Sequence, residues 1–217
     1  MSGDLLRPRP IRVACARARV NRGLAVERGA RPRYDGAVDG IERRERPPRI
    51  LLTGPPGVGK TTVILRLLEK LGGRVRAAGF TTSEIREGRA RRGFRATAVA
   101  GSSIVFSRRG LRGAPMVGSY GVDVVAFEDL VLPEFSRPAD LLVIDEIGKM
   151  ECLSPRFVRA VRDAFERPVP IVATVALRGS GLIAEVKLRP DVAVEEVTRA
   201  NRDALPAEVA ARLGFRD

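Results

Sequence analysis

Apolar positions fall into short blocks whose period changes along the chain. Arg49-Ile50-Leu51-Leu52-Thr53 is an apolar run closed by Gly54, which predicts a buried strand. Over residues 61–71 the period turns helical, with Val63, Ile64, Leu67, Leu68 and Leu71 on one face and Gly72-Gly73 as the stop. Residues 75–80 predict a second strand. Residues 81–85 and 94–99 flank a Gly- and Arg-rich turn and predict a hairpin, followed by a short strand at 104–107. Residues 122–132 read as a helix ended by Pro133, and residues 140–144 as a further buried strand. Ser154 and Pro155 are the N-cap and first residue of a helix reaching Phe165. A strand at 169–175, a short helix at 182–188, a strand at 192–197 and a closing helix at 206–213 complete the pattern. This alternation predicts an α/β fold: a mostly parallel central sheet, helices on both faces, and an antiparallel hairpin addition.

Residues 1–48 break that pattern. They carry Pro8, Pro10, Pro32, Pro47 and Pro48 and no sustained apolar period, so a disordered extension is expected there and a folded domain over 49–217. The net charge is +13, and residues 1–49 hold 13 Arg against 6 acids. The extension reads either as a basic arm for nucleic acid or an anionic membrane, or as a solvated tail. The tail, or a start site placed too early, is favoured, because charge runs are usually solvated. The excess of Arg, which runs through the whole chain, reads as genome composition. No apolar core of a signal peptide and no membrane-length apolar run occurs, so no membrane partner is expected. With 2 Cys and no such leader, a cytoplasmic, reducing location is expected.

The chain has 217 residues and no His, which excludes Ser-His-Asp triads, imidazole general bases and His-ligated zinc. Carboxylates, Lys, Arg, hydroxyls, backbone amides and an oxygen-ligated metal remain. Gly54-Pro55-Pro56-Gly57-Val58-Gly59-Lys60-Thr61 matches G-x-x-x-x-G-K-[ST] at each fixed position, between an apolar strand and an amphipathic helix. Such a loop turns its N–H groups inward as an anion nest, and the helix that follows adds its positive end. Gly54 to Thr62 are therefore the expected nucleotide-binding residues. Lys60 brings a full charge to the β- and γ-phosphates, and the Thr61 hydroxyl is a ligand for Mg²⁺.

Leu141-Leu142-Val143-Ile144-Asp145-Glu146 is an apolar strand ending in two acids. Asp145 is expected to hold Mg²⁺ through water as the partner of Thr61, and Glu146 to orient the attacking water. This requires the loop and the acids to lie at the carboxyl ends of neighbouring parallel strands. Asp145-x-x-Gly148 also matches the D-x-x-G of guanine-nucleotide switches, which would place the Gly148 amide at the γ-phosphate. No Asn-Lys-x-Asp base-reading motif accompanies it, which argues against a GTP-specific switch.

The strings Gly54 to Thr62, Gly79-Phe80-Thr81-Thr82-Ser83-Glu84, Val117-Gly118-Ser119-Tyr120-Gly121-Val122-Asp123, Asp145-Glu146-Ile147-Gly148-Lys149-Met150-Glu151, Arg189-Pro190-Asp191 and Asn201-Arg202-Asp203 occur in that order. From about Arg49 onward the chain resembles the small P-loop nucleoside-triphosphatase family of archaea and thermophilic bacteria, which includes the human cancer-related nucleoside triphosphatase. The resemblance implies a P-loop NTPase fold and Mg²⁺-dependent hydrolysis of ATP, GTP, CTP and UTP to diphosphate and phosphate, with little base selectivity. Two departures stand out: residues 1–48 have no counterpart near the family's usual start, and residues 173–178 match only loosely.

Several positions keep two readings. Arg91 and Arg92 sit at the predicted hairpin tip, where one of them would reach the γ-phosphate as an arginine finger in cis; a solvated turn is the simpler account. Lys149 and Glu151 would either position phosphate or form a structural ion pair. Thr82 and Glu84 would line the cleft or simply belong to a hairpin strand. Asn201 would touch nucleotide or shape a turn, with the turn favoured, and Tyr120 would stack on a base. Cys152 reads as a packed residue without a metal or redox role. Without an assigned finger, turnover below about 10 s⁻¹ is expected. The rival functions are a small-molecule or nucleotide kinase on the same fold, and a nucleic-acid-binding protein driven by nucleotide.

Overall fold

The computed structural model describes residues 46–215. The expected extension over residues 1–48 falls almost wholly outside them. The strands are β1 (Arg49–Thr53), β2 (Ala77–Glu87), β3 (Ala90–Ala98), β4 (Ser103–Arg109), β5 (Met116–Val117), β6 (Tyr120–Val122), β7 (Leu141–Ile147), β8 (Ile171–Val175) and β9 (Ala193–Glu196). The helices are α1 (Lys60–Leu71), α2 (Val124–Ser136), α3 (Pro155–Glu166), α4 (Leu182–Lys187) and α5 (Leu205–Arg212). One 9-stranded sheet joins all the strands in the order β5-β6-β4-β3-β2-β7-β8-β1-β9. The half from β2 to β9 is parallel, and the half from β2 to β5 is antiparallel.

The two periodicities assign the layers. Ile50 and Leu52 of β1 and Leu141 and Val143 of β7 point to one face, where they meet Val63, Ile64 and Leu67 of α1 and Val209 of α5. Leu51, Leu142 and Ile144 point to the other face, toward Phe127 of α2, Phe157 of α3 and Ile183 of α4. Alternate residues of a strand face opposite sides, so strands buried on both faces read as unbroken apolar runs. On the second face, Phe80, Phe106, Phe127, Phe135 and Phe157 form a chain of ring contacts with centroids 5.1–5.9 Å apart. This cluster fixes α2 and α3 against β2 and β4.

The structure departs from expectation in four places. The strand expected at 75–80 and the first arm of the hairpin are one continuous strand, β2, so the antiparallel addition is a direct extension of the parallel sheet. Two short strands, β5 and β6, enlarge that addition into an arm. α2 runs through Pro133 to Ser136 because its last turn is anchored: Phe135 is buried, and the Glu134 carboxylate accepts the Gly79 N–H at 3.1 Å. Tertiary packing overrides the breaker there. Finally, β8 lies between β1 and β7, so the loop after β1 and the acids on β7 are not on adjacent strands.

Gly79 shows how tightly β2 meets β7. Its φ is +111°, and a Cβ added there would lie 1.9 Å from the Val143 carbonyl oxygen. At the other end of the sheet, the buried Arg49 guanidinium donates to the carbonyls of Pro47, Phe165 and Arg167 at 2.9, 2.7 and 3.2 Å. It ties the start of β1 to the end of α3. Among the described residues no helix is long and apolar enough to cross a membrane. Because Phe127 touches three rings of the cluster, Phe127→Ala should cost about 3–5 kcal/mol in urea unfolding. A cost below about 1 kcal/mol would show that the cluster does not hold the arm to the helices.

Candidate active site

The loop after β1 opens at Gly54, whose φ of +143° and closeness to the Val197 carbonyl (2.8 Å from an added Cβ) admit only glycine. Pro55, Pro56 and Gly57 form the exposed crest, and Val58 and Gly59 turn the chain into α1. Arg202 braces the loop from behind: its guanidinium donates to the Val58 carbonyl at 3.4 Å. Lys60 reaches back over the loop, its Nζ donating to the Gly54 and Pro55 carbonyls at 3.1 and 3.4 Å. Thr61 and Thr62 follow on the first turn of α1.

Asp145 is fully buried near the carboxyl end of β7. Its Oδ1 accepts the Thr61 hydroxyl at 3.1 Å and the Thr174 hydroxyl at 2.6 Å, and its Oδ2 accepts the Thr82 N–H at 3.1 Å. Thr174 belongs to β8, and it fills the gap that the intervening strand opens between the loop and the acids. Burial pushes the Asp145 carboxyl above the ordinary carboxylate range, against those three hydrogen bonds and the charge of Lys60. A hydroxyl and a carboxylate oxygen 3.1 Å apart, on a group whose ionised form lacks solvation, are a donor set suited to a hard cation such as Mg²⁺.

Glu146 is the neighbouring acid. Burial raises its pKa, Asp145 adds to the rise, and Lys60 and Lys187 oppose it. Lys187 on α4 donates to the Ala176 and Leu177 carbonyls at 2.6 and 3.0 Å, which holds the loop after β8 close to Glu146. A cleft of about 600 Å³ brings Pro56, Gly57 and residues 59–62 of the loop and α1, with Glu146, Gly148, Lys149 and Glu151, together with Thr82, Glu84, Arg91 and Phe94 of the arm. On the other side of the loop, a cavity of about 350 Å³ is lined by Pro55 to Val58 and Glu196 to Arg199.

The residues with two readings separate here. Asn201 shapes its own turn: its Oδ1 accepts the Thr198 N–H at 2.8 Å and its amide donates to the Glu196 carbonyl at 2.8 Å. The Tyr120 ring makes a T-shaped contact with Phe94 and carries the Arg109 guanidinium over one face, so it serves the packing of the arm. Cys152 is half-buried, and burial together with Glu151 pushes its thiol up to about 12. Arg91 lines the cleft, whereas Arg92 pairs with Glu87 at 2.7 Å. Glu151 forms no ion pair among the described residues; its backbone and that of Gly148 donate to it. Sequence reasoning passed over Thr174 and Lys187. The one available signal was a hydroxyl near the end of the otherwise apolar Ile171-Val172-Ala173-Thr174-Val175.

Burial, with Glu146 and Asp145 nearby, raises the Glu151 pKa from 4.5 to about 8. The folded chain therefore binds a proton there that the unfolded chain releases, and stability falls as pH rises from about 4.5 through about 8. The midpoint of thermal unfolding should drop across that window, and Glu151→Gln should flatten the drop. Parallel curves for the two proteins would show that Glu151 is ionised in the fold.

Comparison with known proteins identifies the family. The family model described as NTPase matches residues 49–210. The nucleoside-triphosphatase THEP1 of Aquifex aeolicus is 38% identical over 177 residues, covering 76% of this chain and 98% of the relative. The human cancer-related nucleoside-triphosphatase is 40% identical over 178 residues, covering 74% and 93%. The crystal structure of the Aquifex protein superposes with a TM-score of 0.69 over 76% of this chain and 98% of that one. The solution structure of the human protein gives 0.65 over 78% and 100%. With a family match over most of its folded length and relatives covered nearly end to end, the chain belongs to this NTPase family.

Proposed function

We propose that this protein hydrolyses nucleoside 5′-triphosphates to diphosphate and phosphate, in a Mg²⁺-dependent reaction with low selectivity for the base. The observation that carries the reading is the convergence of Lys60, Thr61 and Glu146 on one cleft, with the buried Asp145 directly behind Thr61, its Oδ1 3.1 Å from Thr61 Oγ1. The relatives' names, all nucleoside-triphosphatases, support it.

The loop amides and the start of α1 receive the β- and γ-phosphates. Lys60 exchanges the carbonyls of Gly54 and Pro55 for phosphate oxygens, so its charge is already directed to the loop. Thr61 and Asp145 are the residues that would hold Mg²⁺, which supplies charge neutralisation on the phosphates. Glu146 accepts a hydrogen bond from a water in line with the γ-phosphorus. The water oxygen bonds to phosphorus, the bond to the bridging oxygen breaks, and the water proton passes to the Glu146 carboxylate. The base lies in the cavity beside Glu196 to Arg199. Low selectivity follows because Asn201, the one carboxamide in that loop, is committed to its own turn.

Phosphate release should occur from ATP, GTP, CTP and UTP without any acceptor and stop when EDTA removes divalent cations. Glu146→Gln should lower kcat by about 10²–10⁴-fold with nucleotide binding retained. Lys60→Ala should lose both hydrolysis and tight binding. Tight nucleotide binding without acceptor-free phosphate release would instead support a kinase.

A further inference from the structure

We propose that Arg91 is a catalytic residue of this reaction: the arm presents its guanidinium to the γ-phosphoryl oxygens, which take the place of Glu84 as its partner. The inference rests on the hydrolase reading above.

Local geometry selects Arg91 over its neighbour. Ile85 is opposite Gly93 and Arg86 is opposite Arg91, so Arg92 is the extra residue of a bulge between β2 and β3. The bulge leaves both Arg91 and Phe94 on the cleft side. Arg92 is spent elsewhere, in its exposed pair with Glu87.

Arg91 is held in place yet keeps hydrogen-bonding capacity. Its guanidinium pairs with Glu84 and rests over the Phe94 ring, 5.4 Å from the centroid. Its Nε is buried and has no hydrogen-bond partner. A guanidinium has five N–H donors in a planar fork, so one carboxylate does not saturate it. Its carbonyl accepts the Tyr120 hydroxyl at 3.3 Å, which anchors the backbone while the side chain stays able to move.

The partner is suited to exchange. Glu84 also accepts Arg86 Nε at 2.8 Å, so it keeps a cation when Arg91 leaves. Glu84 stands two residues beyond Thr82, on the same face of β2, and the Thr82 N–H binds Asp145. Two residues of strand span about 7 Å, so the guanidinium is tethered about that far along β2 from the acidic end of β7. Lys60 brings its charge from the loop side of the cleft, and Arg91 supplies the arm side. Charge that spreads over the equatorial oxygens in the transition state then meets donors from both walls.

Steady-state kinetics on the full chain test this. Arg91→Ala should lower kcat by about 10³-fold or more, with KM for ATP within about threefold. Arg92→Ala should leave kcat within about threefold, and Arg91→Lys should recover only part of the loss. Binding gives a second readout: Arg91→Ala should lose about 10²-fold or more of the affinity for ADP with aluminium fluoride, yet bind ADP alone as the wild type does. Retained ADP binding also reports a folded variant; if it fails, Arg91→Gln, which keeps a longer side chain over Phe94, replaces it. A wild type that hydrolyses ATP while Arg91→Ala matches it overturns this assignment alone, as does a loss of the same size carried by Lys149→Ala instead. A wild type that releases no phosphate overturns the hydrolase reading and this assignment with it.

Discussion

Asp145 is a carboxylate with no solvent exposure whose oxygens are shared among α1, β2 and β8. A buried carboxylate is costly unless its lone pairs are satisfied, and here hydroxyls from two threonines and one backbone amide satisfy it. Each of those donors comes from a different element, so the register of β7 with β2 and β8 and the depth of α1 must all be correct together. The phosphate loop and the arm have no direct sheet contact with each other. Asp145 is where their positions are reconciled.

The arm depends on the same arrangement. β2 begins beside β7 in the parallel half and continues without a break into the antiparallel half. Thr82 and Glu84 lie on that one strand, so the wall that carries Arg91 cannot shift without moving the amide that binds Asp145. The phenylalanine cluster adds a second constraint by packing β2 and β4 against α2 and α3. The far wall of the cleft is therefore part of the central sheet, and closure over a substrate must come from side chains and short loops.

What was legible in the sequence was what is local. The loop from Gly54 to Thr61 is a fixed spacing between a strand and a helix, and the acids follow an apolar run, so both could be read from neighbouring residues. Strand order is not local: nothing in Ile171 to Val175 says that it inserts between β1 and β7, and so Thr174 went unnoticed beside Asp145. Pro133 was read from its own chemistry, while the anchors that carry α2 past it, Glu134 and Phe135, act through β2 and α3. The choice between Arg91 and Arg92 turned on a bulge, which depends on pairing with β2 and leaves no mark in the pattern of either strand.

The buried Arg49 has a practical consequence. β1 runs from Arg49 at one end of the sheet to the phosphate loop at the other, about 16 Å of strand. Arg49 clamps the far end through Phe165 and Arg167, and Arg46 adds a pair with Asp191 at 3.1 Å. Residues 46–48, the described backbone ahead of β1, thus lie at the end of the sheet opposite the cleft. A fluorophore attached to a side chain of that short segment would stand clear of incoming nucleotide and report on binding without blocking it.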